Sequence, residues 1–246
     1  MFAAGPIAGY ASQVIEKRGC NFKPDPAFIA VFPTPTFQAI LKNIKPRVAK
    51  TPSADRDPAY EFLRRGLDAT RHRQFSVSEE NYRRALRLAP ESATLHLAYA
   101  GNFLLIPDPV HAEAETRRSL ELWPDNAEAH AILSMALMLE GKLSESIAEA
   151  HETLQIFPDH TSAKFQLATS LVKNRQYEEA IPAIRNALVV LPNVPTLHKF
   201  LGISLLQTKQ VSEAIDELRW YVNAAPSDPE GRYYLDIALR SAGRTE

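Results

Sequence analysis

The sequence predicts an all-α solenoid of antiparallel helix pairs, and three observations carry the prediction. Five prolines, Pro90, Pro124, Pro158, Pro192 and Pro226, stand 34 residues apart. Aligning the chain on them brings small residues to shared positions in every segment. Large apolar residues fall at helical spacing beside those small ones. A fixed period of this size marks stacked supersecondary units, none of which can bury its apolar face alone.

Placing each proline at position 32 sets five repeats, 59–92, 93–126, 127–160, 161–194 and 195–228. Position 8 is small throughout (Gly66, Ala100, Ser134, Ala168, Gly202), and so is position 20 (Ser78, Ala112, Ser146, Ala180, Ala214). Position 27 reads Ala85, Ser119, Thr153, Ala187 and Tyr221. Two helices cross closely only where side chains are small, and larger apolar residues fill the holes beside the crossing. Position 7 (Tyr99, Leu133, Leu167, Leu201) and position 11 (Phe103, Leu137, Leu171, Leu205) supply those residues from the second repeat onward. The proline ends the second helix, because it lacks an N–H and restricts the residue before it. Glu91, Asp125, Asp159 and Ser227, directly after a proline, suit turns and helix starts.

In chain order, residues 1–45 lie outside the period. Three short amphipathic stretches, 7–18, 25–32 and 36–44, are broken by Gly19, Pro24, Pro26, Pro33 and Pro35. Phe22, Phe28, Ile29, Phe32, Phe37, Ile40, Leu41 and Ile44 can close a small core. The expectation is a small helical segment docked on the first repeats, with a mobile arm as the alternative. Residues 46–58 read as a linker. Repeat two carries Pro107-Asp108-Pro109 where a glycine turn is usual, which leaves its helix ends open. Gly141 ends the first helix of repeat three. Residues 229–246 read as a sixth first helix that caps the stack.

At Leu201-Gly202, Ala214 and Pro226, and at Ala180, Ala187 and Pro192, the chain resembles the tetratricopeptide repeat (TPR) family. The resemblance covers 59–228. It implies a right-handed superhelix of helix pairs that binds other proteins. Position 4 departs from the family pattern: Phe62, His96, His130, Lys164 and His198 stand in place of tryptophan. The run from Val14 to Pro24 is similar to a short helical module found ahead of TPR arrays in some bacterial proteins, and no activity follows from it.

In TPR-like arrays, positions 2, 5, 9 and 12 of the first helices line the concave face. The resemblance places Leu63, Leu67, Leu97, Leu104, Met135, Met138, Phe165, Val172, Lys199, Ile203, Leu206 and Tyr233 there. Such an apolar face implies a groove for an amphipathic helix or an apolar peptide. Met135 and Met138 would make it adaptable. The same residues read equally well as inter-helix core, or as a face covered by residues 1–45. Some TPR domains hold acidic C-terminal tails with a Lys and Asn clamp. Leu63/Leu67 and Leu97/Gly101 stand there instead, and Ile203 follows Lys199, so that activity is not expected.

His96, His130 and His198 share one position of different repeats, a whole helix pair apart, so they cannot meet at one metal ion. Glu140, Glu145, Glu149 and Glu152 read as a solvated face. Arg64, Arg65, Arg71, Arg73, Arg83, Arg84 and Arg87 make the first repeat basic, with Glu79 and Glu80 nearby. That pattern is either a solvated face or an anionic site. No P-loop, GxGxxG, GxSxG or cysteine pair is present. The expectation is a non-enzymatic adaptor without cofactor or metal. An enzyme with a site in 1–58 is a remaining alternative. Trp123, Trp220, Tyr221, Tyr233 and Tyr234 would suit a homo-oligomer contact, so a self-associating or regulatory scaffold subunit is the second reading.

The formal net charge of the 246 residues is −1, which implies no bulk attraction to nucleic acid or anionic membranes. Cys20 is the only cysteine and excludes an internal disulfide. No apolar run reaches the ~18–20 residues of a membrane span. The first residues lack a basic n-region, which points to a cytoplasmic protein.

Overall fold

The computed structural model describes residues 58–243. The expected N-terminal stretches, their core and the linker up to residue 57 lie outside the described residues. Among the described residues all regular structure is helical: α1 (Pro58–Arg71), α2 (Phe75–Leu88), α3 (Ala93–Leu105), α4 (Pro109–Leu122), α5 (Ala127–Glu140), α6 (Leu143–Ile156), α7 (Thr161–Lys173), α8 (Tyr177–Val190), α9 (Pro195–Gln207), α10 (Val211–Ala224) and α11 (Pro229–Ser241). Pro58, assigned to the linker from sequence, opens α1. The fold class is an all-α helical-repeat solenoid. The chain divides after Pro124 into two compact units, an N-terminal one with α1–α4 and a C-terminal one with α5–α11.

The period of 34 is written into the helix starts. First helices α3, α5, α7, α9 and α11 begin at 93, 127, 161, 195 and 229, and second helices α2, α4, α6, α8 and α10 at 75, 109, 143, 177 and 211. Each second helix ends two residues before the repeating proline, and the residue between them is its C-cap. Those residues, Ala89, Trp123, Phe157, Leu191 and Ala225, have φ between −143° and −130°, extended as a following proline demands. The residue after each proline lies in the turn, and the helix start is capped at position 34. Ser92, Asn126, His160 and Asp228 accept backbone N–H groups of the first turn. Val194 has no accepting side chain, and Pro195 at the first helical position removes one of the donors that would need it.

The turn inside each repeat is equally regular. The position-16 N–H donates to the position-11 carbonyl in all five: Gln74 to Ala69 (2.8 Å), Asp108 to Phe103 (2.9 Å), Lys142 to Leu137 (2.9 Å), Gln176 to Leu171 (2.9 Å) and Gln210 to Leu205 (2.8 Å). Position 15 is left-handed in four repeats, at Arg73 (φ 58°), Gly141 (80°), Arg175 (60°) and Lys209 (63°). Only Gly141 takes that conformation without a steric cost. Repeat two has Pro107 there, which cannot adopt positive φ or donate. It keeps the wider bond, and Asp108 caps α4 by accepting from the His111 N–H at 3.2 Å.

In the N-terminal unit, a Cβ on Gly66 would stand 2.9 Å from the Tyr82 ring, so α1 and α2 touch through glycine and tyrosine. Tyr82, Thr70, Ser78 and Asn102 are buried together. Thr70 Oγ1 lies 3.1 Å from Tyr82 Oη and 2.9 Å from both the Gly66 carbonyl and Asn102 Oδ1. Ser78 Oγ reaches the Phe75 carbonyl (2.8 Å) and Asn102 Oδ1 (2.7 Å). Each hydroxyl has one proton and two acceptors in reach, and Asn102 Nδ2 is buried without a partner. Tyr82, Tyr99, Phe103 and His111 continue as an aromatic chain with centroids 5.5, 4.4 and 5.1 Å apart.

The C-terminal unit is aliphatic where the first is aromatic. Leu167, Leu171, Ile184, Leu197, Leu201 and Leu205 form one buried cluster with the small residues Ala168, Ala180, Ala187 and Ala214. A Cβ on Gly202 would come within 2.6 Å of Leu218 Cγ. Tyr221, considered from sequence as an oligomer contact, is instead buried against Gly231 of α11, and its hydroxyl donates to Asp228.

Candidate peptide-binding face

Within the N-terminal unit the first helices α1 and α3 are in contact, and within the C-terminal unit α5, α7, α9 and α11 follow one another in the same way. The candidate residues at positions 5, 9 and 12 therefore form a row along neighbouring helices in each unit. Their exposure differs between the two. Leu63, Leu67 and Leu97 are buried, and Leu104 is half-buried. In the C-terminal unit Val172 and Ile203 are buried, Met135, Met138, Phe165, Lys199 and Leu206 are half-buried, and Tyr233 is 61% exposed. Phe165 and Leu206 rest on the aliphatic cluster, so their inner edges are core and only their outer edges reach solvent.

Lys199 is not free to meet a ligand carboxylate. Its Nζ donates to Glu230 Oε2 at 2.6 Å and lies 3.4 Å from Asp228 Oδ2, with the Tyr221 ring centroid 5.3 Å away. Burial opposes its charge, but the hydrogen bond to Glu230 and the neighbouring acidic groups outweigh it and raise its pKa. The effect is to tie α9 to α11.

The position-4 histidines act inside their own repeats. His96, His130 and His198 each place Nδ1 2.6 Å from a carboxylate nineteen residues on: Glu115, Glu149 and Glu217. His96 Nε2 and His198 Nε2 also bond the carbonyls of Pro90 (2.9 Å) and Pro192 (3.0 Å). The ring thus joins first helix, second helix and the preceding proline turn, and Trp220 stacks on His198 at 3.7 Å. For His96 burial works against the charge. The Glu115 and Pro90 bonds and the Glu115 charge outweigh it, and the pKa is raised. The signal was available in the sequence: the three glutamates share position 23. His160 has another role, with Nδ1 accepting from the Ala163 N–H at 3.2 Å and Nε2 lying 3.1 Å from Glu128. Among the described residues, no three His, Cys, Asp or Glu side chains are grouped to hold a metal ion.

Most arginines of the first repeat are paired along their own helices. Glu61 takes Arg64 and Arg65 (3.1 and 2.9 Å), and their hydrogen bonds hold its carboxyl at about 2. Arg71 meets Asp68, Arg83 meets Glu79 and Arg84 meets Glu80. Among the described residues the Arg73 and Arg87 side chains have no partner. Also among them, no helix is long and apolar enough to cross a membrane.

Residues 165–229 match the family model described as tetratricopeptide repeat. Among solved structures, a MamA protein superposes with a TM-score of 0.62 at 15% identity, covering 70% of this chain and 94% of that one. Pseudomonas aeruginosa PilF does so with a TM-score of 0.64 at 16% identity, covering 76% and 85%. YrrB, described as a TPR protein with an unusual peptide-binding site, gives 0.61 at 18% identity, covering 67% and 85%. At these identities the likeness is one of fold. No curated protein matches the chain significantly in sequence.

Proposed function

We propose that this chain, whose residues 165–229 match the tetratricopeptide repeat model, is a non-enzymatic adaptor that binds an apolar peptide or amphipathic helix along the first helices of its C-terminal unit. The observation that carries this reading is the row of Met135, Met138, Phe165, Leu206 and Tyr233, apolar yet only partly covered. Side chains in this state present apolar area without unfolding anything, and a partner removes that area from water at roughly 25 cal/mol per Å². Thioethers on α5 allow the surface to repack around different side chains. The peptide-binding site named for YrrB is in keeping with such a use of the fold.

The test is Met135→Glu with Met138→Glu, both on the half-buried face. Helix content by circular dichroism should be unchanged. A partner captured by the wild-type chain and then titrated as a purified segment should lose most of its affinity for the variant. Undiminished affinity would remove the proposal.

A further inference from the structure

A second site lies in the N-terminal unit. Between α2, α3 and α4 opens a cleft of about 550 Å³. The cleft is open to solvent, and its volume falls in the ~300–1,000 Å³ range of ligand sites. Its wall on α3 is made by Tyr99 and Phe103, at positions 7 and 11 of the repeat rather than the positions of the first-helix row. Leu86 of α2 and Ile106 after α3 extend the apolar surface. His111 stacks on Phe103, and Arg83 Nε donates to the Tyr99 hydroxyl at 3.2 Å, so the aromatic floor is held in place.

The charges around this floor are almost all satisfied within the unit. Glu79 meets Arg83 at 2.7 Å, Asp108 meets His111 at 2.7 Å, and Glu115 meets His96 at 2.6 Å. Arg87 is the exception: it lines the cleft and has no partner among the described residues. A free inorganic anion at Arg87 would leave the half-buried Leu86 and Ile106 facing water. A purely apolar ligand would shield the guanidinium without pairing it. The occupant that answers both features carries a carboxylate next to a large apolar side chain.

We propose that this cleft binds a short segment of a partner protein in which an acidic residue adjoins a large apolar one, the carboxylate on Arg87 and the apolar side chain against Leu86, Phe103 and Ile106. This site is independent of the first-helix row. It would give the chain two contact points for protein segments, one acidic and apolar, the other apolar.

The experiment uses the full chain, with backbone amide spectra recorded during titration with acetyl-Phe-Glu-Leu-amide, with acetyl-Phe-Gln-Leu-amide and with sodium acetate. The glutamate peptide should shift amides of α2, α3 and α4 around Arg87 and Phe103. It should bind about fivefold more tightly than the glutamine peptide. Arg87→Gln should abolish that difference without moving the melting temperature, since Arg87 is exposed. Met135→Glu with Met138→Glu should leave the binding intact, which separates failure here from failure of the first-helix reading. Equal binding of the two peptides, a difference that survives Arg87→Gln, shifts reproduced by acetate alone, shifts confined to α5–α11, or no binding at millimolar peptide would each overturn the proposal.

Discussion

Tyr82 and Leu218 occupy the same place in the 34-residue frame, position 24, and each lies over a glycine at position 8. Around Tyr82 the N-terminal unit buries Thr70, Ser78 and Asn102 and bonds them to one another and to the carbonyls of Gly66 and Phe75. Around Leu218 the C-terminal unit buries Ile215, Ala238 and Leu239. The frame is therefore indifferent to the polarity of its interior, provided that the volumes match and that buried hydroxyls find acceptors. The reason is that the crossing is set by the backbone. Position-16 N–H groups close the same turn in both units, and the repeating prolines stop the same helices.

The comparison breaks most visibly at Leu218. Leu218→Ala removes a fully buried side chain and should cost about 2–5 kcal/mol, read as lost amide protection in α9–α11. Tyr82→Phe keeps the ring and removes one bond to Thr70, and should cost only about 0.5–1.5 kcal/mol, read in α1–α3. Equal losses would mean that the polar interior contributes much more than hydrogen bonding to water would allow. Next in size is Gly202→Ala, whose Cβ would press on Leu218 Cγ. About 1–3 kcal/mol is expected in denaturant unfolding. Combined with Leu218→Ala the cost should fall short of the sum, because the clash is gone. A fully additive pair would show that the glycine is needed for something other than this approach.

The smallest effect sharpens the electrostatic side. His96 has a raised pKa in the folded chain, held up by Glu115 and the Pro90 carbonyl against burial and the nearby Arg118. Its contribution to stability is complete below the ordinary histidine value of about 6.5 and is lost as pH rises through the raised value. The stability gap between wild type and His96→Gln should thus be larger at pH 5.5 than at pH 9 in urea unfolding. A gap independent of pH would mean that the ring serves only by packing.

Much of the fold was legible because its rules are local. Pro90 and its four equivalents stop helices whatever surrounds them, and Gly141 was identified as a helix end from its residue type alone. Pro107 looked like a disruption from sequence. The structure shows a turn that gives up the one bond proline cannot make and keeps the other. Which residue caps each first helix is not legible from residue type, since Asp125 and Ser227 are as good cap formers as Asn126 and Asp228. Only the path of the chain decides which of two neighbours faces the open N–H groups.

Sequence by itself determined the register of the repeat, the pairing of helices and the positions that had to be small, because each depends on backbone chemistry or on a neighbour within the same repeat. Tertiary structure alone decided how much of each first-helix side chain is covered. Leu63, Leu67 and Leu97 are core, whereas Met135 and Met138 keep an outer edge, although all carry the same apolar label. It also decided which arginines find partners. Burial and charge pairing are set by residues brought from other helices, and a one-dimensional period carries no measure of that approach.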